Sequence, residues 1–381
     1  MDEEVPKIKR AFVKTMINVY HDTQEHAEKI AEDFMRVFMD AANYGFSINH
    51  SMAYSYIGYI STWLRYYYPL EWCTAAFQIW DGKQDKLNKV VRFAKSHGIS
   101  LKPVKFRKSK GLYYMDKQDK IIYEGTASIK GGSKDNGDDL YLLRDRHYDF
   151  FSELLLDIFD NKSISYHGKE YPLNRVYLDF EDERISSIDQ SLNKHLEEVN
   201  TILKRKVAIN RRALVNLILL DFFNEFGNNL KLKKVFDFFN KNYKPNNKRF
   251  LGKAKAFRKC IEYEKQVDND KISLIEQLGN EINLLGRCQT FNDELPAKYA
   301  FVYDVVERSN KVKITLYSVK RGIETYAFIT KRTYNILRVN KGQLIKINRT
   351  SSRRKNVLVD GQWRKSNDTE LWIDDYVIVR G

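Results

Sequence analysis

The sequence predicts a multidomain α+β protein, mostly helical through its first two-thirds and ending in an all-β barrel of the OB-fold type. Three observations predict it. Apolar side chains recur at helical spacing from residue 8 to about 100, and again from 185 to 239. Beyond residue 298 the pattern changes to short runs rich in Val, Ile and Tyr, separated by turns. With 381 residues and 43% hydrophobic content, the chain can fill two or three separate cores.

The elements follow in order. Phe12, Met16 and Val19, then Ile30, Phe34, Val37 and Phe38, mark the first helices. A helix from His50 to about Tyr68 is stopped by Pro69, which lacks the amide a continuing helix needs. Leu70–Trp80 and Lys86–Ser96 follow, the latter closed by His97-Gly98, a left-handed cap. Two alternating runs around Asp119 predict a hairpin, and the Gly-rich SIKGGSKDNGDD precedes a helix from Leu140 to Phe159. Residues 160–185 read as a polar loop, Ile185–Phe239 as helical, and NKNYKPNNKR as a loop. The runs YAFVYDVVER, KVKITLYSV, ETYAFITK, QLIKINR, NVLV and WIDDYVIV supply five or six strands for the barrel.

Net charge is +15, and most of it is concentrated. Lys204 to Lys259 holds sixteen Lys or Arg against three acids, the local field expected where a polyanion lies. A solvated basic face is the plainer reading. Cys73, Cys260 and Cys288 are too far apart in sequence to form a CxxC pair, and the seven histidines do not cluster. No metal site of His or Cys is predicted. A reduced cytoplasm fits this cysteine usage. No apolar run is long enough for a membrane span, so no membrane partner is expected.

The segment Tyr44 to Phe77, YGFSINHSMAYSYIGYISTWLRYYYPLEWCTAAF, is the most informative. It closely resembles the fingers motif of the alpha subunit of bacterial DNA polymerase III, a family C replicative polymerase. Tyr44, Gly45, Phe46, His50, Ala53, Tyr54, Tyr59, Trp63, Leu64, Arg65, Tyr68 and Pro69 fall in register without a gap. RFAKSHGISLKPVKFRKS is similar to the link leaving the fingers. IIYEGTASIKGG is similar to the lead-in to the helix-hairpin-helix region, and INRRALVNLILLDFFNEFG to a later helix of the family. The resemblance implies fingers at 1–110, a helix-hairpin-helix DNA-binding region at 111–260, a linker at 261–297 and the OB domain at 298–381. Two departures stand out. Ser47-Ile48-Asn49 replaces a tripeptide that normally carries lysine, and Gly131-Gly132-Ser133 replaces Gly-Val-Gly.

Nucleotidyl transfer needs two Mg²⁺ held by palm carboxylates. In the family these precede the fingers, so the expectation is that Mg²⁺ is held by a separate palm-bearing chain, and no catalytic or metal residue is assigned here. The acids Asp179, Glu181, Asp182 and Glu183 look like a metal cluster but read better as a solvated loop. By the resemblance, Asn49, His50, Ser51 and Tyr54 contact the incoming nucleotide. A histidine at a helix start is otherwise a structural hydrogen-bonding group. Tyr44, Phe46, Tyr59, Trp63 and Tyr68 are expected in the core, while Arg65 fits contact or solvent equally.

The turn at Lys130, Gly131 and Gly132 is a candidate phosphate contact. Lys204, Arg205, Lys206, Arg211 and Arg212 crowd a helix start, where cations disfavour the helix unless an external anion compensates. In the barrel, Tyr303, Tyr317, Tyr326, Phe328, Tyr334 and Trp363 divide between core and stacking surfaces, and alternation does not tell which. Arg349, Arg353, Arg354 and Lys355 flank them as a basic loop. The leading expectation is a C-terminal part or split subunit of the polymerase, binding nucleotide, template-primer and single-stranded DNA beside the palm-bearing chain. The alternative is a stand-alone DNA-binding protein without catalytic role. A sliding clamp is a further partner of the family, although no clean clamp-binding peptide lies between Leu251 and Pro296.

Overall fold

The protein, seen in a computed structural model, is described for residues 4–43, 48–160, 163–166, 169–179, 207–247, 249–359 and 362–379. It has two units, Met1–Pro69 and Leu70–Gly381.

The first unit holds α1 (Glu4–Tyr20), α2 (Gln24–Asn43) and α3 (Ile48–Tyr67). Thr23 begins α2, its hydroxyl accepting from the His26 amide at 3.3 Å. Ala27, Ala31 and Met35 recur every four residues and form the buried seam of α2. Lys9 on α1 pairs with Glu32 on α2 at 2.7 Å. The larger apolar groups named by periodicity, Phe34, Val37 and Phe38, are exposed instead.

The second unit begins with α4 (Pro69–Ile79) and α5 (Gln84–Ser96), and Gly98 closes α5 at φ +68°. Cys73, Phe77, Leu87 and Val90 pack with Ile122 of a small sheet. The expected hairpin is β2 (Tyr114–Asp116) with β3 (Ile121–Tyr123), and β1 (Ser100–Lys102) adds parallel to β3.

The predicted helix from Leu140 to Phe159 is broken in two, α6 (Lys134–Tyr141) and α7 (Phe151–Phe159). Polar contacts hold the break. The Asp157 carboxylate accepts from Arg146 at 2.6 Å and from the Tyr148 hydroxyl at 2.8 Å. The Glu264 carboxylate then accepts from the amides of Phe151 and Ser152 at 2.8 and 2.9 Å, placing an anion at the start of α7.

Residues 160–185 are not simply a loop. They hold the hairpin β4 (Ser163–Tyr166) and β5 (Lys169–Pro172), then α8 (Leu173–Asp179), which buries Val176 and Tyr177. The predicted helical stretch 185–239 resolves into α9 (Arg211–Leu219) and α10 (Asn229–Asn242), with residues 180–206 outside the description. After α11 (Phe250–Gln266), the largest core is complete: Phe151, Phe223, Phe236, Phe239 and Phe257 are each buried within it. Cys260 lies there too, and burial pushes its thiol up to about 12.

Residues 261–297 carry α12 (Leu274–Leu285), whose Leu278 and Ile282 share a cluster with Phe301, Tyr317 and Leu344 of the barrel. The barrel consists of β6 (Tyr299–Glu307), β7 (Lys311–Ser318), β8 (Ile323–Thr330), α13 (Lys331–Ile336), β9 (Leu344–Val359) and β10 (Gln362–Val379). It is closed in the order β6-β7-β8-β10-β9 and back to β6, with β8 and β10 parallel. The runs QLIKINR and NVLV are one strand, so five strands form where five or six were expected. Val302, Val312, Ile314, Ile329, Ile345 and Ile373 fill it. The molecule is therefore a multidomain α+β chain ending in a five-stranded barrel.

Candidate nucleic-acid interface

Helix α3 carries the first set of candidates. Asn49 lies in its first turn, followed by His50 and Ser51, and His50 and Tyr54 fall on one face with ring centroids 4.5 Å apart. His50, Ser51 and Tyr54 are exposed, Tyr54 by 65%. So are Tyr59, Trp63 and Tyr68, which were expected in the core; Trp63 meets only local rings, Tyr67 and Tyr68, tilted against it at 5.0 and 5.5 Å. Tyr44 and Phe46 lie outside the described residues. Helix α3 thus exposes a broad aromatic and aliphatic face, with Tyr56, Tyr59, Ile60, Trp63 and Tyr67 on it, opposite a small and polar strip of Ser51, Ser55, Gly58, Thr62 and Arg65. An apolar face that broad is ordinarily packed against a neighbour.

Two helix starts approach each other in the second unit. The glycine turn follows a short 3₁₀ turn, Thr126–Ser128, and Ser133 caps α6 by accepting from the Asn136 amide. Gly131 sits at φ +81°, and a Cβ on Gly132 would run into the carbonyl oxygen of Thr126. The Lys130 amide donates to the Leu284 carbonyl and the Gly132 amide to that of Ile129, both at 2.8 Å. Those two amides are committed to the fold, so what this turn presents to solvent is the exposed Lys130 side chain and Gly131. Gly132→Ala should lower the melting temperature by several degrees, corresponding to about 1–3 kcal/mol of overpacking; an unchanged thermal transition would refute this crowding.

Asn210 caps α9 by accepting from the Ala213 amide at 2.8 Å, which leaves Arg211 and Arg212 exposed in its first turn. The Asn216 side chain of α9 donates to the Lys130 carbonyl at 2.8 Å, and the Asn136 side chain donates to the Ala208 carbonyl. These bonds bring Lys130, Arg211 and Arg212 onto neighbouring elements. Lys204, Arg205 and Lys206 fall outside the described residues. Not every cation of the basic stretch faces water: Lys253 is buried and bonded to Asp160 at 2.5 Å.

On the barrel, Tyr317, Phe328 and Tyr334 are buried, and Tyr303 is half-buried, its hydroxyl bonded to the Gly286 carbonyl. Tyr326 is 53% exposed with Lys313 over its ring at 4.9 Å. The side chain of Trp363 is outside the described residues. Trp372, which sequence reasoning missed, lies against Phe328 at 5.6 Å, with the Arg353 guanidinium 4.4 Å from its ring. Lys311 sits 3.7 Å over Phe328 and pairs with Glu370 at 2.6 Å. A row of rings and cations therefore runs across β7, β8 and β10. Only the strand-to-strand register, Trp372 opposite Phe328, reveals that Trp372 belongs to it. Arg353 also pairs with Asp374 at 2.6 Å, whereas Arg349, Arg354 and Lys355 are exposed along β9.

No three His, Cys, Asp or Glu side chains are grouped to hold a metal ion among the described residues. Glu181, Asp182 and Glu183 lie outside them. Nor is any described helix long and apolar enough to cross a membrane.

Helical body and barrel together make this an α+β protein with exposed cation-bearing helix starts and a ring-and-cation row on a closed barrel. Over part of its length it is related to the alpha subunit of DNA polymerase III. It is 29% identical to DNA polymerase III subunit alpha of Ureaplasma parvum over 125 residues, 33% of this chain and 12% of that protein. The same subunit of Buchnera aphidicola from Acyrthosiphon pisum is 28% identical over 169 residues, 41% of this chain and 14% of the relative. That of Vibrio cholerae is 31% identical over 114 residues, 28% and 10% of the two chains. The match thus spans about an eighth of these relatives' length. No family model matches the chain.

Proposed function

We propose that the chain is a C-terminal part or split subunit of a replicative DNA polymerase. It contributes contacts to the incoming nucleotide and to template-primer DNA, and a second chain supplies the palm with its Mg²⁺. The observation that carries this reading is α3, a 20-residue helix with a broad exposed face of aromatic and aliphatic side chains. Such a helix gains most from a covering surface, and the fingers of the related subunit motif supply a reason for one. In this reading His50 and Tyr54 face the nucleotide, Asn49 and Ser51 lie beside them, and Lys130, Arg211 and Arg212 grip the duplex backbone. The closed barrel, with its parallel β8–β10 contact and a helix between β8 and β9, is an OB-fold that holds single-stranded DNA.

The test is primer extension with and without a palm-bearing polymerase chain. The chain alone should not extend a primer, and the mixture should do so in Mg²⁺. In the mixture, His50→Ala and Tyr54→Ala should each lower kcat/KM for nucleotide about tenfold, a loss of ~1.4 kcal/mol. Their melting temperatures should match the parent's. Extension by the purified chain alone would overturn the split arrangement. A failure to extend in the mixture, with DNA affinity intact, favours the second reading, a stand-alone DNA-binding protein, for which the barrel's ring-and-cation row speaks.

A further inference from the structure

A cleft bearing several cations, lined by none of the residues assigned to nucleotide or DNA above, opens beside β2 and α6. Its volume is about 670 Å³, within the range of small-molecule sites. Arg107, Lys108, Lys117 and Arg144 line it together with Tyr114 and Tyr141; Asp116, the one acid among its described lining residues, pairs with Lys108 at 3.8 Å, and Lys117 pairs with Glu71 at 2.9 Å. At its edge the Lys110 ammonium lies 3.9 Å from the centre of the Tyr114 ring and 4.8 Å from that of Tyr141. The Arg144 guanidinium lies 4.4 Å from the Tyr141 ring and pairs with the exposed Asp145 carboxylate at 3.1 Å. Ring faces hold the Lys110 ammonium in place without cancelling its charge, unlike a carboxylate. Lys110 forms no ion pair with a described carboxylate.

The backbone is arranged around the same cleft. Arg107 occupies φ +67°, a costly conformation for a residue with a side chain. From there its guanidinium bonds the Glu225 carboxylate at 2.8 Å and donates to the carbonyls of Arg144 and Arg146. Arg107 thereby fixes the loop that carries Arg144. Tyr141 is held above its ordinary pKa, first by burial and then by its hydrogen bond with Tyr114.

We propose that this cleft is a phosphate-binding site sized for one nucleotide unit. Lys110 and Arg144 take the phosphate, Lys108 and Lys117 form the rim, and the tyrosine rings border the sugar and base. A free nucleotide and one unit of a single strand share this chemistry. The site uses none of the residues in the polymerase reading and stands or falls independently of it.

The experiment is isothermal titration of the full chain with dATP and, separately, with a ten-residue oligo(dT). Lys110→Gln and Arg144→Gln should each weaken the cognate ligand about tenfold. Asp116→Asn, which removes the cleft's acid, should tighten it, a gain that a damaged fold would not give. Lys117→Gln, at an exposed rim position, serves where Arg144→Gln lowers the melting temperature. Weakened dATP with unchanged oligo(dT) assigns a free nucleotide. Weakened oligo(dT), with a salt slope smaller by roughly 0.7 for each phosphate no longer neutralised, assigns a strand. Unchanged affinity for both ligands in all four variants removes the site.

Discussion

Lys253→Met is expected to destabilise the second unit by about 3–5 kcal/mol, the cost of leaving a buried carboxylate without its counter-charge. The Asp160 side chain is only 1% exposed and that of Lys253 only 10%, and they meet at 2.5 Å. The Tyr243 hydroxyl donates to the same Asp160 oxygen at 2.7 Å, and Lys253 also reaches the Pro245 carbonyl at 3.2 Å. The cluster ties the end of α7 to α11 and to the loop after α10, so its loss loosens three elements of the largest core. Urea denaturation followed by far-ultraviolet circular dichroism measures the effect. The double variant Asp160→Asn, Lys253→Met should recover part of the loss, because it removes both charges. A single variant within 1 kcal/mol of the parent would mean that this pair is dispensable.

Charge reversal at Lys130, Arg211 and Arg212 is expected to lower affinity for duplex DNA by a hundredfold or more at about 0.1 M salt. Every phosphate left without its cation should flatten the dependence of log affinity on log salt by roughly 0.9. Three such phosphates therefore predict a slope shallower by between two and three. The reversal should leave the fold intact. Lys130, Arg211 and Arg212 are exposed, and the anchoring bonds from Asn216 and Asn210 are untouched. Added acids in the first turn of α9 even complement its helix dipole. A triple variant that binds within twofold of the parent, with an unchanged salt slope, would move the DNA elsewhere on the molecule.

Local chemistry was legible in the sequence where it acts locally. Pro69 and Gly98 mark element ends because proline and left-handed glycine act on their own backbone. The break between α6 and α7 was not legible. It depends on Arg107 and Glu264, each far from it in sequence. Likewise α8 contributes Leu173, Val176 and Tyr177 to the core from a stretch in which polar residues outnumber apolar ones. The β8 aromatics defied alternation because Trp372 covers Phe328 from the outside of the barrel.

For the candidate site, the residue types were legible and their company was not. Nothing local pairs Lys130 with Asn216 or places Lys110 between two tyrosines. The exposure of α3 escaped sequence reasoning for a different reason. Aromatic spacing announces that a helix seeks cover, and it is silent on whether the cover belongs to the same chain.

The hairpin of β9 and β10 has a consequence for how this barrel can vary. β9 joins β6 only through Leu344 to Lys346, and β10 joins β8 only at Trp372. Farther out, the described pairs from Arg354 opposite Thr369 to Val359 opposite Gln362 are made within the hairpin. Its tip can therefore gain or lose a residue from each strand, two at a time for each face, without disturbing the closure beneath it. Each two-residue step on both strands moves the tip by roughly 7 Å and keeps every side chain on its original face. Arm length is thus an adjustable dimension of this protein, open to change by insertion or deletion while the barrel stays the same.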